Sequence, residues 1–113
     1  DNPFRWLGDA VAEQHGLAGP RAALIHRDVQ LAYHRDTRMP YPCMNATVVL
    51  RSPQARGGWL VIPDARVALT CDDGACVVFD GQRVHGLTPL ILPTEADYRI
   101  SVTYYCPTGE EGS

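Results

Sequence analysis

The sequence predicts a mainly β domain, an antiparallel jelly roll preceded by one N-terminal helix, and three observations lead to this prediction. Short apolar and β-branched runs recur between turn residues from Ala22 onward. A single segment with helical periodicity precedes them. The chain has 113 residues, enough for one domain with one modest core. Many short strands after one helix are typical of a β-sandwich or jelly roll.

The helix is predicted over residues 2–16, because Asn2 followed by proline is a typical start, Gly16 is a typical stop, and apolar residues recur at helical spacing from Phe4 to Val11. Seven strands are predicted after it: Ala22–His26, Val29–His34, Ala46–Arg51, Gly58–Ile62, Arg66–Leu69, Ala75–Phe79 and Tyr98–Tyr105. We interpret residues 1–113 as one domain with a polar tail at 107–113. The first residue is not Met, which is consistent with a piece excised from a longer protein.

Composition restricts the function classes. The net charge is −3 and all ten cationic residues are arginines, so no overall positive field attracts nucleic acid. No apolar run approaches the length of a membrane span, and the N-terminus does not resemble a signal peptide. The four cysteines lack the close pairs of structural zinc sites, and reduced thiols are expected. These features favour an intracellular protein, cytoplasmic or DNA-associated, with no membrane partner.

The last predicted strand carries a polar face. Side chains repeat every two residues along a strand, so Arg99, Ser101 and Thr103 share one face. An arginine on the inward face of a sheet is costly to bury unless it holds an anion. Its planar fork binds a carboxylate with two hydrogen bonds, and the Ser101 hydroxyl can add another. This strand therefore predicts a carboxylate-binding pocket.

A metal site is predicted from three other residues. His34 and Asp36 stand two apart, so a strand end presents both on one face, and His85 follows later in the chain. Two histidines and one carboxylate form the facial triad of non-haem Fe(II) oxygenases. A second His-x-Asp motif, at His26 and Asp28, lies eight residues earlier, roughly 26 Å away along an extended chain. We interpret this earlier pair as surface or edge residues.

The order His-x-Asp, His, Arg-x-Ser resembles the Fe(II)/2-oxoglutarate-dependent dioxygenase superfamily over roughly residues 29–105. The finer resemblance is to the TET/JBP group, through the segments YHRDT, NATVVL, GGWLVIPD, VFDGQRVHGLTPL and YRISVTYY. The resemblance implies a double-stranded β-helix, or cupin-like, fold. It also implies Fe(II) bound by His34, Asp36 and His85, with 2-oxoglutarate and O2 as cosubstrates. Arg99 and Ser101 would then hold the distal carboxylate of 2-oxoglutarate.

The same resemblance implies a substrate, the 5-methyl group of 5-methylcytosine or thymine in DNA, with succinate and CO2 as coproducts. Tyr105 falls where the group places an aromatic residue near the target base. Arg35 and Arg38 flank the metal loop as candidate phosphate contacts, and Tyr41 is a candidate for stacking on a base. Asn45 is interpreted as a cosubstrate ligand or, equally well, as a cap for the turn after the preceding proline.

Two alternatives remain open from the sequence. The acidic net charge favours the same chemistry on a small molecule or a protein. The short chain is also compatible with a jelly-roll binding module that has no catalytic activity.

Overall fold

The computed structural model describes residues 2–36 and 39–108, which fold into a mainly β, antiparallel structure with one N-terminal helix. The elements of this part of the chain are α1 (Pro3–Gln14), β1 (Ala22–Arg27), β2 (Cys43–Arg51), β3 (Arg56–Gly57), β4 (Leu60–Ile62), β5 (Val67–Leu69), β6 (Cys76–Phe79), β7 (Gly86–Leu87), β8 (Leu90–Ile91) and β9 (Arg99–Pro107). A short 3-10 turn at Pro63–Ala65 joins β4 to β5. In these residues no helix is both long and apolar enough to cross a membrane.

Helix α1 confirms the predicted N-terminal helix. The Asn2 side chain accepts a hydrogen bond from the Phe4 amide at 2.9 Å, so it satisfies one of the free donors of the first turn. Gly8 lets the helix approach the sheet closely, because a Cβ there would lie 2.6 Å from the Tyr104 ring. The Tyr104 hydroxyl in turn donates to the Phe4 carbonyl at 2.6 Å. The helix is therefore attached to the sheet by close packing and by one partly buried hydrogen bond.

The main sheet has four strands in the order β1-β9-β2-β6, and every pair in it is antiparallel. Strand β9 lies between β1 and β2 and pairs with both. Because side chains alternate along β9, Val102 and Tyr104 pack on the helix side, where they form a core with Val11, Ala12 and neighbouring residues. Arg99 and Ser101 lie on the opposite face. The sheet thus has one face covered by the helix and another that faces a second layer.

The second layer is a three-stranded sheet in the order β5-β4-β7. Its apolar side chains meet the inner face of the main sheet in a second core, formed by Val49, Leu60, Ile62, Cys71 and Phe79. Strands β3 and β8 pair separately as a two-stranded ribbon. The inner face of the main sheet is therefore covered over part of its area and lines a cavity over the rest.

The four cysteines are free thiols. Burial raises the pKa of Cys43, Cys76 and Cys106. A thiol with a raised pKa is a poor nucleophile near neutral pH, because the thiolate is the reactive form. These three cysteines therefore act as small apolar residues in the fold.

One predicted strand is wrong. Residues 29–33 form no strand, and His34 forms only an isolated bridge with His85. The segment is held by the Gln30 side chain, whose Nε2 donates to the Leu87 carbonyl at 3.0 Å and whose Oε1 accepts from the Leu90 amide at 2.8 Å. The Leu31 carbonyl also accepts from the Leu87 amide at 3.1 Å, so the backbone pairs at separate points and not as a continuous strand.

Strand boundaries differ from the predicted ones in two further respects. Strands β3, β7 and β8 are not among the predicted strands, and β3 lies in the connection between the predicted strands Ala46–Arg51 and Gly58–Ile62. Each is two residues long, too short to show an alternating pattern. Strand β9 extends to Pro107, the first residue of the predicted polar tail. The end of that tail, 109–113, lies outside the described residues.

Candidate functional site

A cavity of about 440 Å³ lies between the inner face of the main sheet and the second layer. The register of the main sheet defines its two ends. Tyr105 is aligned with Asn45 at one end, while Arg99 and Ser101 lie further along β9 toward the other end. Between them the wall combines apolar residues such as Leu60 and Val77 with Thr47 and Thr103, whose hydroxyls are hydrogen-bonded to each other at 2.9 Å.

His34, Asp36 and His85 meet at the Asn45 end of the cavity, as the sequence predicts. Their ligand atoms all lie within 4.8 Å of one another. Asp36 Oδ1 is 3.1 Å from His34 Nε2, and Asp36 Oδ2 is 3.7 Å from His85 Nε2. This group of two imidazoles and one carboxylate could hold a metal ion.

The backbone brings these residues together although they come from distant parts of the chain. His34 and His85 form an isolated antiparallel bridge, with amide-to-carbonyl distances of 2.9 Å in both directions. The Asp36 amide donates to the Gly81 carbonyl at 2.8 Å. The segment from His34 to Asp36 is thus hydrogen-bonded to the loop that carries His85, and it is not part of a strand.

Hydrogen bonds from the imidazole rings determine which nitrogen faces the carboxylate. His34 Nδ1 lies 2.7 Å from the Ala32 carbonyl, and His85 Nδ1 lies 2.8 Å from the Arg83 carbonyl. A carbonyl only accepts hydrogen bonds, so each Nδ1 carries a proton and donates. In the neutral rings both Nε2 atoms then present lone pairs toward the Asp36 oxygens. The Nε2 lone pairs and the Asp36 oxygens are all hydrogen-bond acceptors, so they repel one another unless a proton or a cation lies between them. A histidine whose Nδ1 proton is bonded to a carbonyl while Nε2 is free to bind is the usual arrangement in metal sites.

Asn45 supports the carboxylate ligand. Its Nδ2 donates to Asp36 Oδ2 at 2.6 Å, and the residue is 1% exposed. Its Oδ1 is buried with no hydrogen-bond partner in the described part of the chain. Gly81 makes room for this amide, because a Cβ at Gly81 would lie 2.3 Å from Asn45 Nδ2. Asn45 therefore orients a candidate metal ligand, and its side chain does not cap the turn after Pro42.

The other end of the cavity contains a buried cation. Arg99 is 5% exposed, and its Nε is buried without a hydrogen-bond partner among the described residues. Burial lowers the pKa of the guanidinium, an effect that the neighbouring Cys71 thiol partly offsets. Gly58 packs against this side chain, since a Cβ there would lie 3.0 Å from Arg99 Nε. Ser101 is also buried, one step along the same face.

Only some of the residues predicted for substrate binding lie at the cavity. Tyr105 is buried and lines the cavity at its metal end, and Arg35 is exposed and also lines it. Tyr41 is not among the described residues that line the cavity, and the Arg21 guanidinium lies over its ring at 5.3 Å from the centroid. Arg38 lies outside the described residues.

The first His-x-Asp motif lies at the end of the edge strand β1, as the sequence predicts, but it also contributes to the cavity. His26 is half-buried and lines the cavity. The Asp28 amide donates to the Arg99 carbonyl, and the Arg99 amide donates to Asp28 Oδ1, both at 2.7 Å. This pair is therefore part of the cavity's arginine end. The pairing of β1 with β9 creates these contacts, and no local pattern reveals that pairing.

Comparison with protein-family models finds no match. Comparison with curated protein sequences finds none either. The functional argument therefore rests on the residues of this chain.

Proposed function

We propose that this chain is an Fe(II)/2-oxoglutarate-dependent dioxygenase with a double-stranded β-helix fold. One observation carries the proposal. A two-histidine, one-carboxylate group and a buried arginine with an unpaired Nε line the same cavity, on the face of β9 that the helix does not cover. The first set of groups fits a divalent metal, and the second fits the carboxylate of an organic acid.

The order of the strands supports this architecture. The chain passes from β1 in the main sheet to the His34 bridge beside β7, and then back to β2. It continues through β4 and β5 in the second layer, β6 in the main sheet, β7 in the second layer and β9 in the main sheet. Alternate crossing between two facing antiparallel sheets is the winding of a jelly roll.

The residues present fit a ferrous ion. The two Nε2 atoms and the Asp36 carboxylate supply three ligands of mixed nitrogen and oxygen type, the set typical of non-haem Fe(II) oxygenases. The proton on each Nδ1 is already donated to a carbonyl, which orients the ring for metal binding. Asn45 holds one oxygen of the carboxylate. A bound cation would also remove the repulsion between acceptors that the three ligand residues have without it.

The arginine end fits the distal carboxylate of 2-oxoglutarate. An arginine fork forms charge-assisted hydrogen bonds with a carboxylate, and burial strengthens such bonds because it excludes water. The Ser101 hydroxyl lies on the same face of β9 and can donate as well. When bound, Fe(II), 2-oxoglutarate and O2 supply the oxidation of a substrate C–H bond, with release of succinate and CO2. The protein contributes orientation and a partly apolar cavity wall.

For the substrate we propose the methyl group of a methylated pyrimidine in DNA. Tyr105 offers an aromatic ring at the metal end of the cavity, and Arg35 places a cation at the cavity lining near the metal. A base must be flipped out of the duplex to reach such a pocket. The net charge of −3 instead favours a free small molecule, which is the second candidate.

The test of the chemistry is an anaerobic titration with Fe(II) and 2-oxoglutarate that follows the visible charge-transfer band of the chelate. We expect a band in the wild-type protein and its loss at the same ligand concentrations in Arg99→Ala. Arg5→Ala, on the exposed side of α1, is the matched control and should retain the band. Absence of the band in the folded wild-type protein would overturn the proposal.

The test of the substrate is succinate release in the presence of candidate substrates. An oligonucleotide that contains 5-methylcytosine should stimulate release, and an unmethylated oligonucleotide of the same sequence should not. His34→Ala should abolish the succinate release that the methylated oligonucleotide stimulates. Stimulation by the free methylated nucleoside but not by the oligonucleotide would favour the small-molecule candidate.

A further inference from the structure

We infer that His26 is a third ligand for the distal carboxylate of the cosubstrate, beside Arg99 and Ser101. The inference rests on the proposed function and deepens it, because it assigns a positioning and specificity role to a residue outside the Arg-x-Ser motif. It also gives a role to the first His-x-Asp motif, which the metal site does not use.

Strand register places His26 at the arginine end of the cavity. His26 on β1 is paired with Ser101 on β9. Directly opposed residues of an antiparallel pair project from the same face with Cβ atoms about 5 Å apart. Both residues line the cavity, and so does Arg99 two residues before Ser101. Three groups that can donate hydrogen bonds therefore occupy adjacent positions on one face.

Asp28 holds the end of β1 in its position beside Arg99. Its amide and its carboxylate bond the carbonyl and the amide of Arg99, each at 2.7 Å. To do so Asp28 adopts a positive φ of 55°, a conformation that aspartate tolerates better than most residues. The motif thus fixes the backbone of Arg99 through one residue and presents an imidazole to the cavity through the other.

The surroundings of His26 leave its ring without a protein partner. In the described part of the chain no side chain or carbonyl forms a hydrogen bond or ion pair with the imidazole. The neighbouring cavity wall is aliphatic, with Leu24 and Leu31 among the lining residues. A polar ring in such a place is stabilised by a ligand that can accept a hydrogen bond. A carboxylate held by Arg99 supplies that acceptor.

The experiment compares 2-oxoglutarate with 2-oxobutyrate, which keeps the 2-oxo acid end and lacks the distal carboxylate. Affinities are measured anaerobically by the charge-transfer band of the Fe(II)-loaded protein. In His26→Leu we expect about tenfold weaker 2-oxoglutarate binding, the loss typical of a hydrogen bond to a charged group. The affinity for 2-oxobutyrate should be unchanged. His15→Gln, an exposed histidine at the end of α1, is the matched control.

A second measurement needs no variant. In the wild-type protein loaded with Zn(II), the NMR signals of the His26 ring should shift when 2-oxoglutarate is added, and should stay in place with 2-oxobutyrate. Unchanged 2-oxoglutarate affinity in His26→Leu, or equal loss for both acids, would overturn the inference and leave the oxygenase proposal intact. Failure of the wild-type protein to give a band with either acid would instead overturn the proposed function itself.

Discussion

Gly81→Ala should weaken metal binding although Gly81 contributes no side chain to the site. The new Cβ would lie 2.3–2.6 Å from the Asn45 amide atoms, whereas ordinary contact begins at 3.4 Å. The Asn45 amide must therefore retreat by about 1 Å, which stretches its 2.6 Å bond to Asp36 beyond the normal hydrogen-bond range. A hydrogen bond to a charged group contributes about 1.5–3 kcal/mol. That range corresponds to a loss of roughly 10- to 100-fold in metal affinity, as is usual for residues that support a metal ligand.

The assay is anaerobic calorimetric titration with Fe(II). Gly19→Ala is the matched control, because a Cβ there would meet only Asp9 at 3.8 Å. Asn45→Ala should reproduce the loss, and Gly81→Ala added to Asn45→Ala should cause no further loss, since the obstructing amide is then absent. If the Gly81→Ala protein bound Fe(II) as tightly as the Gly19→Ala protein, the supporting role assigned to Asn45 would be refuted.

Three further predictions concern the rest of the molecule. Gly58→Ala should weaken 2-oxoglutarate binding and spare Fe(II) binding in the same titrations, because its Cβ would press on Arg99 at 3.0 Å. Hydrogen bonds, first of all from the Thr94 hydroxyl, hold the pKa of Asp97 below its usual range. Asp97→Asn should therefore lower the free energy of unfolding at neutral pH, by a difference that begins to shrink as the pH falls below about 4. Tyr104→Phe removes the bond to the first turn of α1 and should lower the free energy of unfolding by about 1 kcal/mol in urea denaturation.

A specific result would contradict each of these three predictions. Equal loss of Fe(II) and 2-oxoglutarate binding in Gly58→Ala would show general damage to the cavity. A stability difference in Asp97→Asn that stays constant as the pH falls below about 4 would show that the carboxylate charge is not what matters, because stability from a depressed pKa is lost as the pH falls through the folded-state pKa. Unchanged stability in Tyr104→Phe would mean that the bond from the Tyr104 hydroxyl to the Phe4 carbonyl makes no net contribution to the free energy of unfolding.

The helix and the longer strands could be predicted because their signals are local. Asn2 and Gly16 delimit α1, and the alternation of Arg99, Ser101 and Thr103 is a property of one strand. The two-residue strands could not be predicted, because pairing with distant residues is all that makes them strands. The erroneous strand at residues 29–34 has the same origin. Its hydrogen bonds are made to residues far along the chain, by the Gln30 side chain and by the backbone of Leu31 and His34.

The sequence was enough to predict the candidate metal ligands, but not the residues that hold those ligands in place or line the rest of the cavity. His34, Asp36 and His85 follow a recognisable order, and the structure brings them together. Asn45 is interpreted from the sequence as a cosubstrate ligand or a turn cap, because nothing local shows that its amide reaches Asp36. His26 is interpreted as a surface or edge residue, and its place in the cavity depends on the strand that pairs with the edge strand β1.

The central position of β9 determines the sequence of events by which this fold can form. Strand β1 pairs only with β9 among the described strands, and β2 loses one of its two neighbours without it. A chain still emerging from the ribosome therefore holds β1 without a strand partner until β9 arrives. Long-range pairing of this kind makes folding slow and leaves strand edges exposed in the meantime. Arg99 and Ser101 lie on β9. A chain in which β9 has not yet paired would therefore lack the arginine end of the cavity and could not bind metal and cosubstrate together.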